Sequence, residues 1–516
     1  MAVRTPARRL ARGTVSWEFT APMDEPPPTA WQHLTRSRAR YALVAAVPLL
    51  VYGAALNPYY PPGNYDDILY LGAARAIATR GSYEFAGHHV ADWPPAFSTM
   101  LAIPMWLGLD SLWIAKLLIV ACAAIGSMLA LRLLERIRAP LPLASVLIAS
   151  LLPNALLMGS RVMSEQPFLA VSFAFLLALD RVHDDGAKSK RRALAAGALL
   201  GLAALTRSVG VLLGVAVVAQ AVSRARAAPA GARLRAIAPE LIVALIGAFP
   251  VLAWRVHVWL EIRSGAAVSR YQSDASFLSH VDPLGLLRNV GDLLAQSTRV
   301  ATAVGLPTLA LDVVLVGLFV VVVFGVSIAW KSTRSRPATA YLLATLVLFT
   351  CLEWKFPRYL LPVAPFLVSY VAAGAGLLGR AVSSSRGARL AGFAALALWA
   401  TALLAMDGVL LVRGNGENHR GLSVLASPTA ESFYVGYWRD LYTASRWVGA
   451  QPASGSIALA GPSDCRYVSL FADRDCADLA EAPHDAEYVI GPAVIMGREP
   501  GDRTFGTLRV RVRGTP

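Results

Sequence analysis

Apolar stretches of roughly 15–25 residues recur between residues 41 and 411, a length suited to crossing a bilayer hydrocarbon core about 30 Å thick. No other feature constrains the chain as strongly. Backbone placed in lipid must satisfy its own N–H and C=O groups, so segments of this kind fold as helices. The stretches fall at 41–57, 112–134, 141–159, 167–181, 193–206, 208–222, 238–259, 308–330, 338–353, 359–378 and 390–411. They predict an all-α polytopic membrane protein with about 11 transmembrane helices. The pair at 193–222 also reads as one broken helix with a re-entrant piece.

Composition agrees: 56% of the 516 residues are hydrophobic and only 16% charged, which excludes a soluble globular chain. The net charge of +15 does not indicate a nucleic-acid binder, because the Lys and Arg residues gather in short connectors. Arg132, Arg136 and Arg138 fall on one side with Arg181, Lys188, Lys190, Arg191 and Arg192. Arg224, Arg226, Arg233, Arg235, Lys331, Arg334, Arg336, Arg380, Arg386 and Arg389 follow on that side. Cytoplasmic connectors are enriched in basic residues, so the predicted topology is N-in and C-out in the cell membrane.

The Arg- and Pro-rich segment 1–40 reads as a disordered cytoplasmic arm, with Arg36, Arg38 and Arg40 holding the first helix as a signal anchor. A membrane module spans 41–411, with outside loops at 58–111 and 260–307. A Gly, Asn and Ser-rich linker follows at 412–430, and then a small extracytoplasmic α/β domain at 431–516. In that domain Cys465 and Cys476 can close a small loop if it lies outside the cytoplasm, whereas Cys122 and Cys351 read as packing residues.

The first outside loop predicts a short interfacial helix over 66–80, capped by Asn64 or Asp66 and ended by Gly81. Leu69, Ala73, Ala76 and Ile77 share its apolar face. A second short helix is expected over 97–107, interrupted by Pro104.

Four charged constellations fall on the outside. Asp66 and Asp67 either cap the helix or supply a carboxylate that takes a proton from an attacking hydroxyl. In Arg161-Val162-Met163-Ser164-Glu165, the acid either pairs with Arg161 or serves the reaction, since a carboxylate between apolar helices is costly. Arg207 lies between two apolar stretches and must snorkel or meet an anion. Lys355, Arg358 and Tyr359 stand in Glu353-Trp354-Lys355-Phe356-Pro357-Arg358-Tyr359, where they anchor the interface or grip a lipid phosphate. Acids and cations on one face suit attack of a hydroxyl on a sugar whose leaving group is a lipid phosphate. There is no clear metal-ligand set or cofactor motif; the lipid-phosphate sugar is a co-substrate, and dependence on a divalent metal stays open.

In this order the motifs resemble those of the GT-C fold glycosyltransferases that use polyprenyl-phosphate sugars, such as the protein O-mannosyltransferases and the lipid A aminoarabinose transferase. Asp66-Asp67 with Tyr70, Ala74 and Gly81 resembles the family's acidic pair, and Trp93-Pro94-Pro95 its paired-proline motif. Met163-Ser164-Glu165 resembles the acidic turn, and Arg358-Tyr359-Leu360-Leu361-Pro362 the motif facing the carrier phosphate. The resemblance covers roughly residues 40–410 and leaves out the C-terminal domain. It implies an inverting transfer to a glycan, lipid or protein acceptor. Asp66 would be the base with Asp67 as its partner, Glu165 would assist at the acceptor, and Arg358, Tyr359 and Lys355 would lie near the phosphate, with Arg207 a weaker candidate there.

Two other classes compete. A transporter or flippase would hold charges near the bilayer midplane and often show an internal repeat. An O-antigen polymerase or ligase would use a long loop carrying Arg and His, for which 260–307 offers Arg270, His280 and Arg288.

Overall fold

The computed structural model describes residues 38–56, 66–85, 88–91, 93–184, 189–264, 283–295, 308–351, 357–382, 401–402, 405, 430–451, 455–459, 465–472, 476–478, 486–496, 498–499, 502–505 and 508–513. Helix α1 (Ala39–Val47) runs on through a π-turn over Pro48–Tyr52. Then come α2 (Asp66–Arg80), the hairpin β1 (Glu84–Phe85) and β2 (His88–His89), α3 (Ala96–Trp106) and α4 (Leu112–Arg136). Helices α5 (Pro142–Ser150) and α6 (Pro153–Gly159) meet at a bend of 63°. The series continues with α7 (Glu165–Arg181), α8 (Ser189–Thr206), a 3-10 turn over Ser208–Leu212, α9 (Leu213–Ala227) and α10 (Arg233–Arg263). Beyond these lie α11 (Pro283–Ala295), α12 (Thr308–Lys331), α13 (Arg336–Cys351), a 3-10 turn over Pro357–Val363 and α14 (Ala364–Val382).

The main core joins α4, α7, α8 and α14, with Phe168, Phe173, Phe175 and Phe366 fully buried. Elsewhere the apolar side chains face outward: on α10, Leu245, Phe249 and Leu252 are strongly exposed, as lipid-facing residues are. The chain is a multi-pass membrane protein of mostly helical fold. By length and composition, four helices among the described residues can cross a bilayer: Leu112–Arg136, Ser208–Ala227, Ala230–Arg263 and Arg358–Gly376. The bent pair makes a fifth if it is one span, so the expected eleven is not established by this measure. Several helices are shortened because proline interrupts or opens them, as at Pro142, Pro153 and Pro357. Most of the expected span 390–411, the arm and the linker lie outside the described residues.

Helix α2 forms over the expected residues and ends at Gly81, whose φ of +71° is the left-handed cap that glycine adopts freely. It does not lie on one apolar face. Asp67, Ile68, Tyr70, Leu71, Gly72, Ala73, Ala74 and Ala76 are all buried, because α3, the hairpin and the C-terminal domain enclose the helix. Phe85 sits so close that a Cβ on Gly72 would collide with its ring. The expected loop 260–307 contains α11, whose Leu286 and Val290 are buried, and α11 packs beside the 3-10 turn that carries Arg358. Arg288 there pairs with Asp312 at 3.1 Å, while Arg270 and His280 lie outside the described residues.

The C-terminal part folds as α15 (Ala430–Gly449), β3 (Ile457–Leu459), α16 (Cys465–Ala472), β4 (Cys476–Asp478), β5 (Tyr488–Pro492), α17 (Ala493–Met496), β6 (Arg503–Phe505) and β7 (Leu508–Val512). Its sheet has the order β4-β3-β5-β7-β6, parallel through β4, β3 and β5 and antiparallel beyond. Cys465 and Cys476 form a disulfide between α16 and β4.

Candidate active site

Four breaks in helical structure bring the site together. Asp66 opens α2, Glu165 opens α7 after a turn, and Arg207 sits in extended backbone between α8 and the following 3-10 turn. Arg358 and Tyr359 come from the 3-10 turn that leads into α14. At such breaks the side chains leave the packed helix faces and converge.

Glu165 is the anchor. It is only 1% exposed, and Arg207 Nη1 stands 2.6 Å from its Oε1, with Arg358 Nε at 3.9 Å from the same oxygen. Arg358 also reaches the Asp66 carboxylate, Nη2 to Oδ2 at 3.4 Å. A buried carboxylate is stable only with such partners. Arg207 donates to Ser164 Oγ at 3.3 Å, and Ser164 Oγ lies 3.2 Å from the Tyr70 hydroxyl. The Tyr359 ring is flanked by both cations, at 5.4 Å from Arg207 and 5.1 Å from Arg358, and stacks on Phe349. Arg358 Nη2 also lies 3.4 Å from the Tyr359 hydroxyl.

Two carboxylates and two guanidinium groups thus share one partly dry site. Asp66 is the most open of the four, with a quarter of its side chain exposed. Burial raises its pKa above the ordinary aspartate value, Arg358 works against that rise, and Glu165 adds to it. Such a carboxylate can take a proton while the guanidinium groups hold an anion.

Asp67 belongs to a different environment. It is fully buried, its Oδ1 accepts from the Ile68 N–H at 3.0 Å, and its Oδ2 has no hydrogen-bond partner among the described residues. Burial pushes its pKa up to about 7, against the pull of the Arg161 charge and, more weakly, of Lys116. Lys116 is itself wholly buried on α4, where its neighbours Ala115 and Ile119 pack in one cluster with Ile68 and Leu71 of α2. The Arg161 charge therefore acts on Asp67, while Glu165, for which a pair with Arg161 was one of two readings, stands beside Arg207 and Arg358. Lys355 lies outside the described residues.

Sequence reasoning missed Lys116 and Ser164. A lysine inside the apolar run 112–134 is a signal in itself, because a charge at that depth needs a partner. Ser164 carries no such mark, and only the convergence of Tyr70 and Arg207 on its hydroxyl singles it out.

The burial of Asp67 and Lys116 within reach of each other's charge predicts a coupled loss of stability. Lys116→Met removes the weaker of the two cations that act on Asp67, and Asp67→Asn removes a buried carboxylate that acts on Lys116, each at a cost of about 3 kcal/mol. The double variant removes both charges and is expected to lose less than the sum, since Arg161 is only half-buried and can turn to solvent. Unfolding midpoints of the purified protein measure this; strictly additive losses would show that the two groups do not interact.

Residues 92–254 match the family described as dolichyl-phosphate-mannose-protein mannosyltransferase. No curated protein matches the chain. Among solved structures, the chain is similar to ArnT from Cupriavidus metallidurans bound to undecaprenyl phosphate, with 13% identity and a TM-score of 0.58, over 92% of this chain and 99% of that one. It is also similar to the archaeal oligosaccharyltransferase AglB from Archaeoglobus fulgidus, in complex with an inhibitory peptide and a dolichol-phosphate. There the identity is 12% and the TM-score 0.52, over 88% of this chain and 69% of that one. At these identities the likeness is one of fold.

Proposed function

We propose that this chain, a membrane glycosyltransferase of the GT-C fold, moves a sugar from a polyprenyl-phosphate donor to an acceptor hydroxyl on the extracytoplasmic side. The observation that carries the reading is Arg358 standing between Asp66 and Glu165, with Arg207 behind it. That set can hold a phosphate beside a proton acceptor within one site. The family segment and the two structural neighbours, whose bound molecules include undecaprenyl phosphate and dolichol-phosphate, support the donor class.

In the proposed reaction the acceptor oxygen attacks the anomeric carbon, and the bond from that carbon to the phosphate oxygen breaks. The electron pair leaves with the polyprenyl phosphate, and the hydroxyl proton goes to Asp66. Configuration inverts, since a single displacement needs no covalent intermediate. Arg358 and Arg207 meet the charge growing on the departing phosphate, and both rest against the Tyr359 ring. Glu165, expected near the acceptor, is better read as the buried counter-ion that aims both guanidinium groups. Asp67 holds the start of α2 through Lys116 and Arg161. The extracytoplasmic placement rests on the basic connectors and on the Cys465–Cys476 disulfide, which belongs in an oxidising compartment.

The direct test is an assay of purified protein with a panel of polyprenyl-phosphate sugars, scored by release of the lipid phosphate. Transfer from at least one donor is expected; no release from any of them, by folded protein, would sink the reading. The pH dependence gives a further prediction. A general base must be ionised, and burial lifts the Asp66 pKa, so kcat/KM falls as pH drops through that raised value. The acidic limb is expected above the ordinary aspartate range, and a rate flat down to pH of about 4 would contradict it.

A further inference from the structure

We propose that the C-terminal α/β domain clamps the helix carrying Asp66, with Arg75 as the positioning residue that joins them; this builds on the glycosyltransferase reading above. Arg75 lies on α2, nine positions beyond Asp66. Its Nη1 donates to the backbone carbonyl of Leu470 on α16, while its Nε and Nη2 face Asp110 at 3.2 and 3.5 Å. The Leu470 carbonyl is in the last turn of α16, where helical oxygens lack an intrahelical donor. Arg75 supplies that donor from another part of the chain.

The contact is not an isolated one. Ile68, Tyr70, Leu71 and Ala74 of α2 share one apolar cluster with Val468, Leu470 and Ala472 of α16. The same cluster takes in Leu441, Ala444 and Val448 of α15 and the inner faces of β3, β5 and β7. The core of the C-terminal domain is therefore continuous with the packing of α2. An eight-residue helix such as α16 is marginal by itself. Here it is tied at its start to β4 by the Cys465–Cys476 disulfide and at its end to α2 by Arg75. Any shift of α16 is passed along a rigid helix to Asp66, whose distance to Arg358 is set at that helix's first turn. A displacement of 1 Å at reacting groups is enough to slow a reaction by orders of magnitude.

The full-length protein in lipid nanodiscs allows the test, by amide hydrogen exchange over residues 66–80 and 465–472 alongside sugar transfer. Arg75→Met is expected to speed exchange in both segments and to lower kcat about tenfold with the donor KM unchanged. Arg75→Lys, which keeps a cationic donor, recovers part of both. Asp110→Asn, which touches only the exposed side of Arg75, stays near wild type. Exchange needs no donor, so it decides the clamp even if no polyprenyl-phosphate sugar is transferred, an outcome that would count against the glycosyltransferase reading instead. Unchanged exchange in either segment of Arg75→Met, or an equal effect of Asp110→Asn, overturns the clamp.

Discussion

Asp66→Asn is expected to reduce sugar transfer by a factor of about 10²–10⁴, the range lost with a positioned general base. Asparagine is nearly isosteric and keeps an oxygen that can face Arg358 and the start of α2, so fold and donor binding should survive. What disappears is the site's capacity to accept a proton as the acceptor oxygen attacks. The loss should therefore fall on kcat, with KM for the donor little changed. Asp67→Asn is the informative contrast, because that side chain is fully buried towards Lys116 and Arg161. It should cost stability rather than the chemical step. Steady-state rates of the two variants, compared at equal folded concentration, check this. An Asp66→Asn rate within a factor of about two of wild type would remove Asp66 from the role of base.

The second large effect is expected at Arg358. Arg358→Met should lower kcat/KM by about 10²–10³, as when one preorganised donor to a developing anion is removed. The guanidinium lies 3.4 Å from Asp66 and 3.9 Å from Glu165, so it also keeps two carboxylates from facing each other directly. Its loss weakens the hold on the leaving phosphate and raises the pKa of Asp66, since Arg358 is the main charge holding that pKa down. The acidic limb of the pH–rate profile should move upward in the variant. Arg358→Lys is expected to recover only part of the rate, because an ammonium is a point charge and cannot grip two phosphate oxygens with a planar fork. A profile unmoved by Arg358→Met would separate the two residues that the structure joins.

Much of this site was legible in the sequence for a physical reason. Charges are expensive beside lipid, so Asp66, Glu165, Arg207 and Arg358 stood out against their apolar flanks before any contact was known. The helix over 66–80 was legible from its terminal acids and from Gly81, and the structure forms it over those residues. Its surroundings were not, because periodicity reports only how apolar faces alternate. It is silent on a helix enclosed on several sides by segments as distant as α16. Lys116 was hidden for a related reason. A single lysine in a long apolar run is consistent with snorkelling, and only burial against α2 brings its charge to bear on Asp67.

The sequence by itself determined the class of this protein. Recurrent apolar segments force backbone hydrogen bonds inward and make helices in a membrane, and the sparse charges between them mark the candidate site. The tertiary structure alone decided how those charges are divided. Neighbouring positions on a helix point about 100° apart, so Asp66 and Asp67 look in different directions although nothing in their local sequence distinguishes them. Where α4, α7 and the turn before α14 stand decides that one meets Arg358 and the other faces Lys116.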